Sequence, residues 1–303
     1  MMEVNKIIQG DALEVLKTFP DAFVDCVITS PPYWNLRDYN VEGQLGLEPT
    51  FQEYIQKLCA IFDEIKRVLK KEGTCFVNLG DTYSGNKEGK TDNKVSQYLK
   101  ENSQGIHKKA TIQEKCLCQI PARFAIAMTD RGWILRNKII WQKPNAMPSS
   151  VQDRFTIDYE EILFFVKSKK YYFEPQRQPH KKVSLNRIKH PWHGKLTKGH
   201  SLGGLKDGDM HKMLHPDGRN MRAVWSVNTG SYPEAHFATF PPALIIPMVK
   251  AGCPKGGIVL DPFMGSGTVA EVAKYLGRNY LGIELNKSYI KLAENRLRQE
   301  MLL

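Results

Sequence analysis

The chain has 303 residues, 42% of them hydrophobic and 25% charged, a balance that excludes global disorder and allows one large α/β core with an appendage. Its formal charge of +11 favours a polyanionic partner, because each Lys or Arg that neutralises a phosphate also releases condensed counterions; ribosome-bound and membrane-surface proteins share this balance. No apolar run approaches the roughly 20 residues of a membrane span, Met1 to Gly10 lacks the layout of a signal peptide, and the cysteines are scattered, so a cytoplasmic protein with free thiols is expected.

In chain order, Lys6–Gln9, Ala12–Phe19 and Val24–Thr29 read as strand, helix and strand. Thr50–Leu69 follows as an amphipathic helix with Tyr54, Leu58, Ile61, Phe62, Ile65 and Leu69 on one face, ended by Gly73, and Thr74–Leu79 is a buried strand. Residues 84–115 are polar, lack either apolar period and read as a mobile insertion. A helix is predicted over Ile120–Thr129 and strands over Trp133–Trp141 and Glu161–Val166. From Lys167 to Arg222 about fourteen Lys/Arg face four Asp/Glu, the asymmetry of a nucleic-acid surface. The tail returns to α/β alternation: helix Pro242–Lys250, strand Ile258–Leu260, a Gly-rich turn, helix Val269–Leu276, strand Tyr280–Ile283 and helix Lys287–Arg298.

That turn, Asp261-Pro262-Phe263-Met264-Gly265-Ser266-Gly267-Thr268, lets backbone approach a ligand at the carboxyl edge of a parallel sheet. Glu284 ends the next strand, where a carboxylate can accept hydrogen bonds from ribose hydroxyls. A nicotinamide dinucleotide is disfavoured: the third glycine of the dinucleotide fingerprint is absent, and Asp261 and Glu284 suit the ammonium and sulfonium of S-adenosylmethionine (AdoMet) better than a pyrophosphate. A ligand-free turn is the plain alternative.

Thr29-Ser30-Pro31-Pro32-Tyr33-Trp34 closes the second strand. Its two prolines fix two φ angles and remove two donors, so the loop is stiff and offers acceptors. The Ser30 hydroxyl oxygen and the Pro31 carbonyl could accept both protons of an exocyclic base amine, freeing its delocalised lone pair for in-line attack on a methyl group. Tyr33 and Trp34 would offer stacking faces to a flipped base. Alone, such a string is as often a simple turn after a strand.

Taken together and in this order, the motifs resemble the permuted β group of amino-methylating DNA methyltransferases of bacterial restriction-modification systems. Trp141-Gln142-Lys143-Pro144-Asn145 and Asp158-Tyr159-Glu160-Glu161-Ile162 also match. The resemblance implies a Rossmann-like α/β fold with a mostly parallel seven-stranded sheet and one antiparallel strand, near Glu161–Val166 or Trp133–Trp141. It implies a catalytic half at 1–166, a target-recognition region at 167–230 and an AdoMet-binding half at 231–303. Catalytic roles fall on Ser30, Pro31, Pro32 and Tyr33. Cofactor roles fall on Asp11 (toward adenine), Ala12, His236, Phe237, Thr239, Asp261, Phe263, Gly265, Ser266, Gly267, Thr268 and Glu284. Serine at the first catalytic position is typical of the cytosine-N4 enzymes of this family, with adenine-N6 methylation the alternative. The family's partners are duplex DNA and a cognate restriction endonuclease, and a monomer or homodimer is expected.

Lys181, Lys182, Arg187 and Lys189 are the candidate phosphate contacts, and Trp34 and Asp81 candidates to line the target-base pocket; for Asp81, a turn cap is an equal reading. The histidines at 190, 193, 200, 211 and 215 with Cys116 and Cys118 do not complete a zinc-ligand pattern, since the two cysteines are separated by only one residue, so no metal is expected. Cytosine-C5 methylation is disfavoured, because it needs a cysteine nucleophile and no Pro-Cys dipeptide occurs. A catalytically silent DNA-binding subunit is the reading from another class, opposed by the presence of Ser30, Tyr33, Asp261 and the glycines.

Overall fold

The computed structural model describes residues 2–39, 41–84, 112–187, 214–230 and 240–298. Residues 85–111 of the expected insertion, and Lys189, His236, Phe237 and Thr239, lie outside the described residues.

The sequence opens with strand β1 (Lys6–Gln9), helix α1 (Ala12–Lys17), whose N-cap Asp11 accepts from the Glu14 amide, and strand β2 (Val24–Thr29). Helix α2 (Phe51–Val68) starts at a capping box: the Thr50 hydroxyl accepts from the Glu53 amide and donates to its carboxylate. Strand β3 (Leu69–Leu79) follows without a turn, so Gly73 lies inside a strand and does not terminate the helix. Leu69 adopts extended backbone because it pairs with Val24 of β2, and sheet pairing outweighs one more helical residue. Helix α3 (Ile120–Asp130), β4 (Ile134–Gln142) and β5 (Tyr159–Val166) come next. After them lie β6 (Arg177–Gln178), α4 (Lys182–Arg187), β7 (Arg219–Asn220) and β8 (Val224–Ser226). The chain ends with α5 (Pro242–Gly252), β9 (Ile258–Asp261), α6 (Thr268–Tyr275), β10 (Asn279–Glu284) and α7 (Lys287–Arg298).

Among the described residues the main sheet has eight strands in the order β1-β10-β9-β2-β3-β5-β4-β8, one more than the seven expected. The extra strand is the three-residue edge strand β8, parallel to β4 and too short to show a period in sequence. The antiparallel member is β5, between β3 and β4.

Alternation along the strands divides the core between the two faces. Val27, Cys75, Val77, Leu163 and Phe165 pack with α1, α2 and α3 on one side. Cys26, Ile28, Phe76, Ile162, Phe164 and Val259 pack with α5 and α6 on the other. Cross-strand partners Phe76 and Phe164 stack at 4.4 Å between centroids. The cysteines are all free, and five of the six are buried.

By compactness the chain divides into Met1–Phe173 with Ala223–Leu303, which holds the whole sheet, and Glu174–Arg222. In the second unit, β6 and β7 form a two-stranded antiparallel ribbon, and Lys181 and Lys182 are exposed at the start of α4. No helix among the described residues is long and apolar enough to cross a membrane.

Phe62 of α2 is fully buried edge-on to Phe124 of α3, 5.1 Å between centroids. Phe62→Ala is expected to destabilise the fold by about 3–5 kcal/mol, read as a lower urea midpoint with an unchanged slope.

Candidate active site

The sheet order makes β2 and β9 neighbours although they lie at opposite ends of the sequence, with Cys26 opposite Val259 and Val27 opposite Leu260. Both motif loops therefore leave the carboxyl edge side by side, at the switch point where ligands enter open α/β sheets. A buried hydrogen bond ties them: Thr29 Oγ1 donates to Asp261 Oδ1 at 2.6 Å. The same Asp261 oxygen accepts from the Phe263 amide at 3.0 Å and sets the direction of the turn.

A cleft of about 590 Å³ opens over these loops, in the size range of small-molecule sites. One part is walled by Asp11, Ala12, Asp261, Phe263, Gly265, Ser266, Thr268 and Glu284, the other by Ser30, Pro31, Pro32, Tyr33, Asn78, Lys143 and Glu160. In the first part Glu284 accepts from the Gly265 amide and the Asn286 amide, each at 2.8 Å, fixing its carboxylate against the turn. Burial raises the pKa of Glu284; burial, with the Glu284 charge as a lesser cause, raises that of Asp261 to about 7. Two carboxyls held above their ordinary range in one wall form a site that a cationic ligand would relieve.

A second set of hydrogen bonds joins the residues of the other part. Ser30 Oγ donates to Tyr33 Oη at 3.3 Å, and Tyr33 Oη donates to Glu160 Oε2 at 2.7 Å. The Asn78 amide donates to both, at 2.5 and 2.6 Å, and Lys143 Nζ binds the other Glu160 oxygen. The Pro32 carbonyl accepts from Tyr54 at 2.9 Å. The Tyr33 ring lies against Gly80, where a Cβ would come within 2.4 Å of a ring carbon.

The DNA methylase model of the N6/N4 methyltransferases matches residues 24–295. The chain belongs to this family. It is 42% identical over 292 residues to the type II methyltransferase M.XycI of Xanthomonas campestris pv. cyanopsidis, covering 96% of this chain and 87% of the relative. It is 41% identical over 300 residues to M.Cfr9I of Citrobacter freundii, covering 97% and 88%. Among solved structures, the PvuII cytosine-N4-specific DNA methyltransferase matches with a TM-score of 0.66 at 18% identity, covering 100% of this chain and 89% of its own. A DNA modification methylase from Thermus thermophilus complexed with AdoMet matches at 0.60 and 24% identity, covering 98% and 94%.

The chain is therefore an amino-methylating DNA methyltransferase, and AdoMet, bound by the Thermus protein, is the methyl donor against which its site can be compared. The acidic wall fits the cofactor's cationic groups, and the cleft's volume suits a nucleoside with its amino-acid arm.

Three residues expected at the site are placed otherwise. Trp34 is 2% exposed, bonds the Glu48 carbonyl at 3.0 Å and packs edge-on to Phe51, so it belongs to the core and offers no stacking face. Asp81 accepts from the Thr82 and Ile120 amides at 2.9 and 3.0 Å, capping the start of α3 outside the cleft. Gly267 turns toward α7; at its φ of +82° a Cβ would lie 2.7 Å from that of Ala293. The Ser266 and Thr268 hydroxyls line the cleft but accept from the buried Arg296 of α7, which braces the turn.

Asn78, Lys143, Glu160 and Arg296 were not singled out as site residues from sequence, although Lys143 and Glu160 stand in segments that match the family. A lone Asn ending an apolar strand is the one local signal that could have marked Asn78, since a buried amide needs partners.

Between the ordinary carboxyl value of 3.8 and about 7, folded Asp261 holds a proton that the unfolded chain has released. Stability without cofactor should decline as pH rises through this window and level off above it. In Asp261→Asn the decline should be smaller, measured as urea midpoints across pH.

Proposed function

We propose that this methyltransferase modifies the exocyclic N4 amino group of cytosine within a short specific site in duplex DNA. The observation that carries the reading is the hydroxyl of Ser30 at the first catalytic position, with its proton directed to Tyr33 and its oxygen in the cleft wall. Serine at this position is typical of the family's cytosine-N4 enzymes.

When bound, AdoMet supplies an electrophilic methyl group on a sulfonium. Ser30 Oγ and the Pro31 carbonyl accept the two protons of the amine, drawing its nitrogen toward a tetrahedral form with a free lone pair. Tyr54 holds the Pro32 carbonyl and so fixes the double-proline loop from behind. Tyr33 stacks on the flipped base. Glu284 accepts from the ribose hydroxyls, Asp11 contacts the adenine, and the Asp261 charge favours the cationic end. Ala12, Phe263, Gly265, Ser266 and Thr268 shape the wall around them.

The exposed Lys181 and Lys182, with Arg187 on α4, serve as phosphate contacts of the target-recognition region at 167–230. A cognate restriction endonuclease acting at the same site is the companion that type II relatives suggest.

Digestion of methylated DNA to nucleosides followed by mass spectrometry should return N4-methyl-2′-deoxycytidine; N6-methyl-2′-deoxyadenosine would reassign the base to adenine. Ser30→Ala is expected to slow single-turnover transfer by roughly a hundredfold with AdoMet affinity preserved. Replacing Lys181 and Lys182 by Ala should flatten the dependence of log DNA affinity on log salt by roughly 2, measured by fluorescence anisotropy.

A further inference from the structure

We propose that Glu160 is a positioning residue for methyl transfer that acts through Tyr33, orienting the Ser30 hydroxyl and taking up the proton released from the target amine. Ser30, Tyr33, Asn78, Lys143 and Glu160 all line the cleft, and they come from the β2 loop, β3, the residue after β4, and β5. Four separate segments thus converge on one hydrogen-bonded chain.

Its direction follows from the acceptor at its end. An ionised carboxylate only accepts, so Tyr33 donates to Glu160 and its oxygen is left to accept from Ser30. The Ser30 hydrogen is thereby turned to Tyr33, and an Oγ lone pair is left for the amine. Burial, reinforced by the Glu160 charge, raises the Tyr33 pKa well above its ordinary value and keeps the phenol a donor. Asn78 from β3 and Lys143 just after β4 are the groups that hold Glu160 in place. Asn78 spends its amide hydrogens on Tyr33 and Glu160 while its carbonyl oxygen is buried without a partner. An orphaned acceptor in a core strand is costly, which argues that the orientation of the amide serves the site.

The chemistry supplies the reason for a relay. A serine hydroxyl, unlike a carboxylate, has no charge with which to keep a proton. As the amine nitrogen bonds to the methyl carbon, the carbon–sulfur bond breaks and its electron pair stays on sulfur. The excess proton on nitrogen then moves to Ser30 Oγ, the Ser30 proton to Tyr33 Oη, and the Tyr33 proton to Glu160 Oε2. Serine and tyrosine are regenerated, and a neutral Glu160 carboxyl later yields its proton to water.

This inference rests on amino methylation but not on which base is modified. The test uses the full chain, tritiated AdoMet and duplex DNA, counting label in total DNA. Tyr33→Phe, which keeps the ring, and Glu160→Gln should each slow single-turnover transfer by roughly a hundredfold. AdoMet and DNA dissociation constants, measured by calorimetry and anisotropy, should stay within about twofold of the parent. The double variant should be no slower than the slower single variant, because both break one chain. A Tyr33→Phe enzyme with the parent rate, losses that multiply in the double variant, or losses confined to binding would overturn the proposal. Label found in adenine would instead correct the base assignment and leave the relay standing.

Discussion

The hydrogen bond from Thr29 to Asp261 is the constraint on which the rest of the site depends. It joins residues 232 positions apart across the seam between β2 and β9, with Thr29 fully buried and Asp261 nearly so at the floor of the cleft. An unpaired hydroxyl or carboxyl there would carry its full desolvation cost, so the seam closes in this register or closes badly. Everything downstream inherits the alignment: the Ser-Pro-Pro-Tyr loop rises from one strand, the Gly-rich turn from the next, and one cleft receives both.

The two parts of the cleft are built on opposite electrostatic principles. Around Asp261 and Glu284, carboxyl groups are buried beside backbone amides and each other, which leaves room for positive charge to enter. Around Glu160, the carboxylate is already matched by Lys143, Asn78 and Tyr33, so nothing is left for a cation to neutralise. A cationic methyl donor would suit the first part and a neutral base amine the second. Bracing from outside keeps both rigid: Arg296 holds the Gly-rich turn from α7, and Tyr54 holds the Pro32 carbonyl from α2. Rigid surroundings matter because transfer between two bound partners gains its rate from alignment.

Much of the fold could be read from periodicity alone. The amphipathic face of α2, the β1-α1-β2 start and the β9-α6-β10 end all carry local patterns that tertiary contacts had no reason to override. Gly73 misled because a glycine after a helix ordinarily ends it, whereas here Leu69 was captured by Val24 across the sheet. Trp34 misled for a related reason: it follows Tyr33 directly, but the chain turns so that its indole points into the core against Phe51. The relay residues escaped notice because no spacing links them. Asn78, Lys143 and Glu160 meet only through the pairing of β5 between β3 and β4, where Asn78 lies opposite Ile162 and Trp141 opposite Glu160.

By itself the sequence determined the two chemical motifs, their permuted order and the class of ligand, since prolines, glycines and carboxylates state their constraints locally. Tertiary structure alone decided which side chains share a wall, which glycine faces a helix rather than the cleft, and which carboxylate stands behind the serine. Those are matters of strand order and register, and register is set by pairings between segments that the linear chain keeps far apart.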